Sequence, residues 1–184
     1  MKIKTIGLTL LLCLGCLLAA GCANNGGTQP AKPTTPAAPP VAKQETKTTP
    51  LEVEKKIYVL PTDGSQILTV KTIKVKAPQG QEALVILKAV VDSNAKYFPK
   101  GTKVLGLTVK DGLATVNMSK EFLNKGQGEY ERTMSLYAIV NTLTEFPTIK
   151  KVLFQADGKK IEVVGQMDMV DPLTRNQTYL PKAK

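Results

Sequence analysis

Histidine and tryptophan are absent from this 184-residue chain, and cysteine occurs only three times. Without histidine there is no Ser-His-Asp or Cys-His catalysis, no imidazole general base near neutral pH, and none of zinc's commonest ligand. With aromatics at 5% and no indole, the chain lacks the aromatic cladding of carbohydrate clefts and single-strand nucleic-acid platforms. Cys13, Cys16 and Cys22 all fall in the first 22 residues. Everything after them is without disulfides, thiolate metal sites or thiol nucleophiles.

The N-terminus does hold an address. Lys2 and Lys4 precede an apolar run over 6–20, which Leu18-Ala19-Ala20-Gly21-Cys22 closes with small residues and a cysteine. About 15 apolar residues fit a signal-peptide core and fall short of the roughly 20 that span a bilayer. The pattern is a lipobox, so residues 1–21 are expected to be a leader cut before Cys22. The Cys22 thiol is then expected to carry diacylglycerol, with palmitate among its acyl chains, and to anchor the protein on the extracytoplasmic face of a cell membrane. Cys16 is the weaker cleavage candidate, with too little apolar length before it.

Residues 22–50 read as the lipidated cysteine and a tether. Pro30, Pro33, Pro36, Pro39, Pro40 and Pro50 stand among Ala, Thr, Gly, Gln and Lys, too polar to build a core and biased to extended backbone. Fully extended, this tether would reach about 87 Å. The formal charge is +10, and removal of the two leader lysines leaves +8. Outside the cytoplasm such a balance favours anionic lipids, wall polymers or acidic protein surfaces over nucleic acid. Scattered lysines also serve simply as a solvated face.

Residues 51–184 are long enough for one domain with a short C-terminal tail. Asp-Gly dipeptides at 63–64, 111–112 and 157–158 lie between apolar runs, and each favours a two-residue hairpin turn. Around Asp111-Gly112 the spacing pairs Val109 with Ala114, Leu107 with Val116 and Leu105 with Met118, all on one core-facing side. Around Asp157-Gly158 it pairs Phe154 with Ile161 and Val152 with Val163. Around Asp63-Gly64 it pairs Leu60 with Ile67, Val59 with Leu68 and Ile57 with Val70, so both faces are apolar and are expected to be covered. Helical spacing predicts helices over 82–92 and 129–146, the second stopped by Pro147. A short turn capped by Ser119 is predicted to direct Phe122 and Leu123 inward. The fold class is therefore α+β: a largely antiparallel sheet of three Asp-Gly hairpins packed with two main helices, in the order ββ-α-ββ-(α)-α-ββ.

Four stretches carry a resemblance: 98–104 with Pro99-Lys100-Gly101-Thr102, 109–122 around Asp111-Gly112, 135–147 with Thr142-Leu143-Thr144-Glu145-Phe146-Pro147, and 152–158 with Asp157-Gly158. Together they resemble the GerMN, or sporulation and spore germination, domain over roughly residues 57–172. The resemblance implies a lipoprotein of spore-forming bacteria, one domain copy where the name-giving protein has two, no catalytic residues, and a part in an envelope or sporulation assembly such as the channel between mother cell and forespore.

No motif points to a cofactor or metal. Asp168 and Asp171 lack oxygen-rich neighbours and read as turn or solvated carboxylates rather than calcium ligands. Glu129 and Glu131 are two apart on a helix, so they point in different directions. The sequons at 117–119 and 176–178 carry little meaning in a bacterial lipoprotein. Three function classes follow: a non-enzymatic interaction module with a protein partner, a binder of an anionic wall polymer or lipid, and a wall enzyme using carboxylates alone, which would need two of them roughly 5 to 9.5 Å apart in a cleft. The first is the expected one. Lys150, Lys151, Lys159 and Lys160 flank the last hairpin and are its candidate partner surface.

Overall fold

The computed structural model describes residues 50–126 and 128–182, all within one compact unit, Glu45–Lys184. The leader, Cys22 and the tether through residue 49 lie outside the described residues. Nine strands and two helices follow in chain order: β1 (Leu51–Val59), β2 (Thr69–Ala77), α1 (Glu82–Ser93), β3 (Val104–Lys110), β4 (Leu113–Met118), α2 (Glu129–Leu143), β5 (Lys151–Ala156), β6 (Lys159–Lys160), β7 (Val163–Val164), β8 (Met167–Asp168) and β9 (Leu173–Thr174). Short 3-10 turns occupy Ala95–Tyr97, Lys120–Leu123 and Gln177–Tyr179.

The strands form three sheets: β1-β2, a five-stranded sheet in the order β3-β4-β5-β6 with β9 also on β5, and β7-β8. The expected single sheet is therefore corrected to three, and the pairing is largely antiparallel with one exception. β4 and β5 run parallel from Leu113↔Lys151 to Met118↔Ala156. The cause lies in the connection: α2 carries the chain back past the sheet, so β5 re-enters in the direction of β4.

Two of the three Asp-Gly pairs make tight turns. Asp111 and Gly112 have φ of 49° and 80°, and Asp157 and Gly158 have 47° and 76°, the positive values a type I′ turn needs at both positions. At Asp63-Gly64 only the glycine is positive, so no such turn closes there. β1 and β2 instead pair through Val59↔Thr69, with a loop over 60–68. Leu60 and Leu68 point into the core, and their N–H groups go elsewhere, to Asn94 Oδ1 at 2.8 Å and to the Tyr179 carbonyl at 2.8 Å. The register accordingly sets Ile57 opposite Lys71, one residue from the expected Val70. A one-residue slip exchanges the faces of a strand. The outer face thus carries Glu52↔Lys76 and Glu54↔Lys74, the latter an ion pair at 3.1 Å, and is wet where an apolar cover was expected.

The β3-β4 ladder sets Val109 opposite Ala114 and Leu107 opposite Val116, but a bulge between Val104 and Gly106 puts Val104, not Leu105, opposite Met118. Leu105 is 51% exposed and Val109 43% exposed, while Ala114, Val116 and Met118 are fully buried. β3 is the sheet's edge; β4 is its interior. The last hairpin is two rungs long, Gln155↔Lys160 and Ala156↔Lys159. Val152 then opposes Leu173, and Val163, expected opposite it, leaves for β7 at 59% exposure.

α1 buries Ile86, Leu87, Val90 and Val91 on one stripe. α2 is buried through most of 134–143, polar Ser135, Asn141 and Thr142 included, because it is covered by β1, α1 and the five-stranded sheet. It ends at Leu143, short of the expected 146: Glu145 and Phe146 donate to carbonyls only three residues back, which tightens the chain ahead of Pro147. Phe98, Phe122 and Phe154 run through the core with ring centroids 6.1 and 6.0 Å apart. Leu123 is 45% exposed, contrary to the expected inward orientation. Three residues per turn place adjacent side chains about 120° apart, so Phe122 and Leu123 cannot share a face. Ser119 does not cap that turn either; its Oγ accepts from the Lys103 N–H at 3.0 Å.

Candidate functional site

A concavity of about 530 Å³ lies beside the Asp157-Gly158 turn. Lys120, Lys159 and Lys160 rim it, and Leu123, Ile161 and Val163 give it an apolar lining. A second hollow of about 450 Å³ shares Lys120 and Asp157 with it and adds Lys103 and Glu121. The turn between them is fixed to the end of β4. Asp157 N–H donates to the Met118 carbonyl at 2.9 Å, Gly158 N–H to Asn117 Oδ1 at 2.8 Å, and Lys120 N–H to Asp157 Oδ1 at 3.2 Å. Hydrogen bonding from Ser119 holds the Glu121 carboxyl below its ordinary range.

The four lysines singled out in the sequence do not form one patch. Lys159 and Lys160 stand at this concavity, whereas the N–H groups of Lys150 and Lys151 donate to the Gly112 carbonyl at the other end of β5, at 2.8 and 3.2 Å. From Lys151 to Ala156, the partner of Lys159, β5 advances five residues, about 17 Å at 3.3 Å per residue. Lys103 and Lys120 take the place of Lys150 and Lys151 in the basic cluster. They come from the segment ahead of β3 and from a 3-10 turn, so sequence distance hid them.

A second polar cluster joins positions remote in sequence. Tyr58 Oη donates to Glu145 Oε1 at 2.7 Å, Arg175 Nη2 donates to Tyr58 Oη at 2.7 Å, and Arg175 pairs with Glu145 at 2.6 Å. Arg175 Nη1 adds a bond to the Asn141 carbonyl at 2.9 Å. Burial pushes the Tyr58 hydroxyl up, and its bond to Glu145 adds to the rise. Burial alone would raise Glu145 too, but the bonds from Tyr58 and Arg175 and the Arg175 charge outweigh it and hold the carboxyl below its ordinary value. Arg175 is raised in turn, since those two bonds outweigh its own desolvation. Each group spends its hydrogen bonds on the others, so the cluster clamps β1, the end of α2 and the C-terminal segment together.

Asp168, Glu129 and Asn176 also serve the backbone. Asp168 Oδ1 accepts from Val170 N–H at 2.8 Å, Glu129 Oε1 from Gln166 N–H at 2.9 Å, and Asn176 Oδ1 from Thr178 N–H at 2.9 Å. Among the described residues no group of three or more His, Cys, Asp or Glu could hold a metal ion, and no helix is long and apolar enough to cross a membrane.

Comparison with solved structures places this fold. The first GerMN domain of the sporulation protein GerM from Bacillus subtilis is 21% identical, with 67% of this chain and 98% of that one covered at a TM-score of 0.55. The tandem GerMN domains of the same protein give 21% identity, 67% and 46% coverage and a TM-score of 0.51, so this chain spans less than half of that tandem. A Clostridium perfringens chain described as a candidate lipoprotein is 21% identical over 70% of this chain and 90% of that one, at a TM-score of 0.45. No curated protein matches. The model of the sporulation and spore germination family, Germane, matches residues 56–162, more than half of the chain, and the chain belongs to that family.

Proposed function

We propose that this protein is a lipid-anchored, extracytoplasmic, non-catalytic interaction module acting in sporulation or spore germination, with a protein partner in an envelope assembly. Membership of the sporulation and spore germination family carries the reading. Two features support it further. The lipobox ending at Cys22 supplies an anchor, and the residues after it supply a tether that lets the domain stand off the membrane. The lysine-rimmed concavity beside Asp157-Gly158 supplies a surface that favours an acidic partner.

Cell fractionation tests the anchor. Cys22→Ala should leave the membrane fraction or persist as an unprocessed precursor; an unchanged mature mass with equal membrane attachment refutes it. Capture by cross-linking in sporulating cells tests the surface. Joint reversal of Lys159 and Lys160 to Glu should leave the melting temperature nearly unchanged and reduce capture of the partner, and undiminished capture removes this surface.

The clustering of Lys103 and Lys120 with Lys159 and Lys160 favours a second reading, an anionic wall polymer or lipid headgroup as ligand. Salt-sensitive co-sedimentation with purified cell wall, abolished by the same charge reversal, separates it from protein binding.

A further inference from the structure

The five-stranded sheet is not closed at β3. Among the described residues this seven-residue strand pairs only with β4. The turn at Asp111-Gly112 makes Lys110↔Leu113 the hydrogen-bonded pair next to the loop. Alternation along an antiparallel ladder then turns the N–H and C=O groups of Leu107 and Val109 away from β4. The bulge leaves Leu105 without a counterpart on β4 as well. Among the described residues, none of the backbone hydrogen bonds made outside the ladders involves Leu105, Leu107 or Val109. The nine-residue outer edge of β2 is different. It carries exposed Lys71, Lys74 and Lys76, which guard a strand edge against pairing.

We propose that β3 pairs with β3 of a second copy of this chain, antiparallel across a two-fold axis at Leu107, to give a symmetric dimer with one continuous sheet. The strand's own sequence selects this occupant. In that register Leu107 faces the second Leu107 and Leu105 faces Val109, the latter contact occurring twice by symmetry, while Lys103 and Asp111, just beyond the ends of the strand, bring opposite charges near each other at both ends. Apolar opposes apolar at every outward-turned position, and opposite charges meet at both ends. Moving the register by one outward-turned residue in either direction breaks the match: one shift puts Asp111 opposite Leu105, the other puts Lys103 opposite Val109. The pairing also gives Leu105, which has no counterpart on β4, a cross-strand neighbour, and adds one on the outer side of Val109. The bulge at one end and Lys110 at the other discourage strands that lack this pattern, which makes the edge selective.

Cysteine cross-linking in intact cells, with the full chain, tests the register. Directly opposed residues of a hydrogen-bonded antiparallel pair have Cα atoms about 5.5 Å apart, within disulfide reach. Under mild oxidation Leu107→Cys should give at least tenfold more disulfide-linked homodimer than wild type, which shows what the native cysteines yield, or than Leu123→Cys on a different surface. Differently tagged chains carrying Leu105→Cys and Val109→Cys should yield a mixed dimer at least tenfold above either variant alone. Both positions are exposed, so this pair reports even if Leu107→Cys fails to fold. Dimer yields no higher than wild type or Leu123→Cys overturn the proposal, and so do cross-links solely to a protein of different mass, which would mark β3 as an edge for another partner. None of these readouts depends on the lysine concavity.

Discussion

Asn94 gives the sharpest test of how the core is held. It is fully buried at the end of α1, where the inner edge of β1 meets the helices. Its Oδ1 accepts from the Leu60 N–H at 2.8 Å, and its Nδ2 donates to the Tyr58 carbonyl at 3.2 Å and the Val90 carbonyl at 2.9 Å. Val90 keeps another partner, since its carbonyl also accepts from the Asn94 N–H. Asn94→Ala therefore orphans two buried backbone groups at about 1 to 3 kcal/mol each. Water entering the vacated polar space would relieve part of this, so the expected loss is about 2 to 4 kcal/mol. Asn94→Leu fills the same space with carbon, excludes that water, and should cost at least as much. Asn94→Asp keeps the acceptor for Leu60 but sets a carboxylate against two carbonyl oxygens, so its deficit should shrink as the pH falls and the carboxyl protonates. Urea unfolding followed by far-UV circular dichroism and tyrosine emission measures all three. A loss below about 0.5 kcal/mol for Asn94→Ala would show that this buried amide does not close the β1 edge.

The 3-10 turn after β4 yields a paired prediction: Phe122→Ala, in the ring stack, should cost about 3 to 5 kcal/mol, and its exposed neighbour Leu123→Ala less than about 0.5 kcal/mol. Equal losses in denaturant titrations would put both side chains inside. The clamp of Tyr58, Glu145 and Arg175 yields a pH prediction. Because the folded Glu145 carboxyl is held below its ordinary value, its stabilising contribution is present above about pH 4.5 and lost as the pH falls through the lower folded value. The stability gap between wild type and Glu145→Gln, measured by urea unfolding at several pH values, should accordingly be widest near pH 7 and narrow as the pH falls below about 4.5; a constant gap refutes the coupling.

Local rules reached far into this fold and stopped at identifiable places. Asp111-Gly112 and its flanking alternation set a register that the ladder shows, because two-residue turns fix pairing without help from distant residues. The same reasoning failed at Asp63-Gly64, where Leu60 and Leu68 do better in the core than opposite Ile67 and Val59, and their N–H groups find Asn94 and Tyr179. Strand order was beyond periodicity altogether: nothing in 151–156 says that its neighbour is β4 and that the two run parallel. Apolar stripes also pass over the polar residues that tie the core. Asn94 and Thr142 look like ordinary helix-end residues until Tyr58 and Leu60 are set beside them. Tyr58 and Glu145 are 87 positions apart, and Tyr58 and Arg175 are 117 apart, so no spacing signals that clamp. In the candidate site Lys159 and Lys160 could be named from their hairpin, whereas Lys103 and Lys120 could not, since only the tertiary fold brings their segments to the hollows on either side of that turn.

The match to the family ends at residue 162, yet the core does not end there. β5 needs neighbours on both sides. β4 covers one, while β6 reaches only Gln155 and Ala156 on the other. β9 supplies the missing rungs at Lys151 and Val152. The segment around it then reaches in two further directions. Buried Asn141 exchanges bonds with both backbone groups of Asn176, at 2.9 and 3.1 Å, and the Tyr179 carbonyl takes the Leu68 N–H while its ring lies 4.9 Å from that of Tyr137. Val164, Met169 and Leu180 are buried among the same core residues. A helix as deeply covered as α2 can carry Asn141 only if something answers its amide, and the answer comes from residues beyond the shared family region. The core of this chain therefore extends past the matched residues by a C-terminal strap that joins β5, α2, the β1-β2 loop and, through Arg175, Tyr58 on β1.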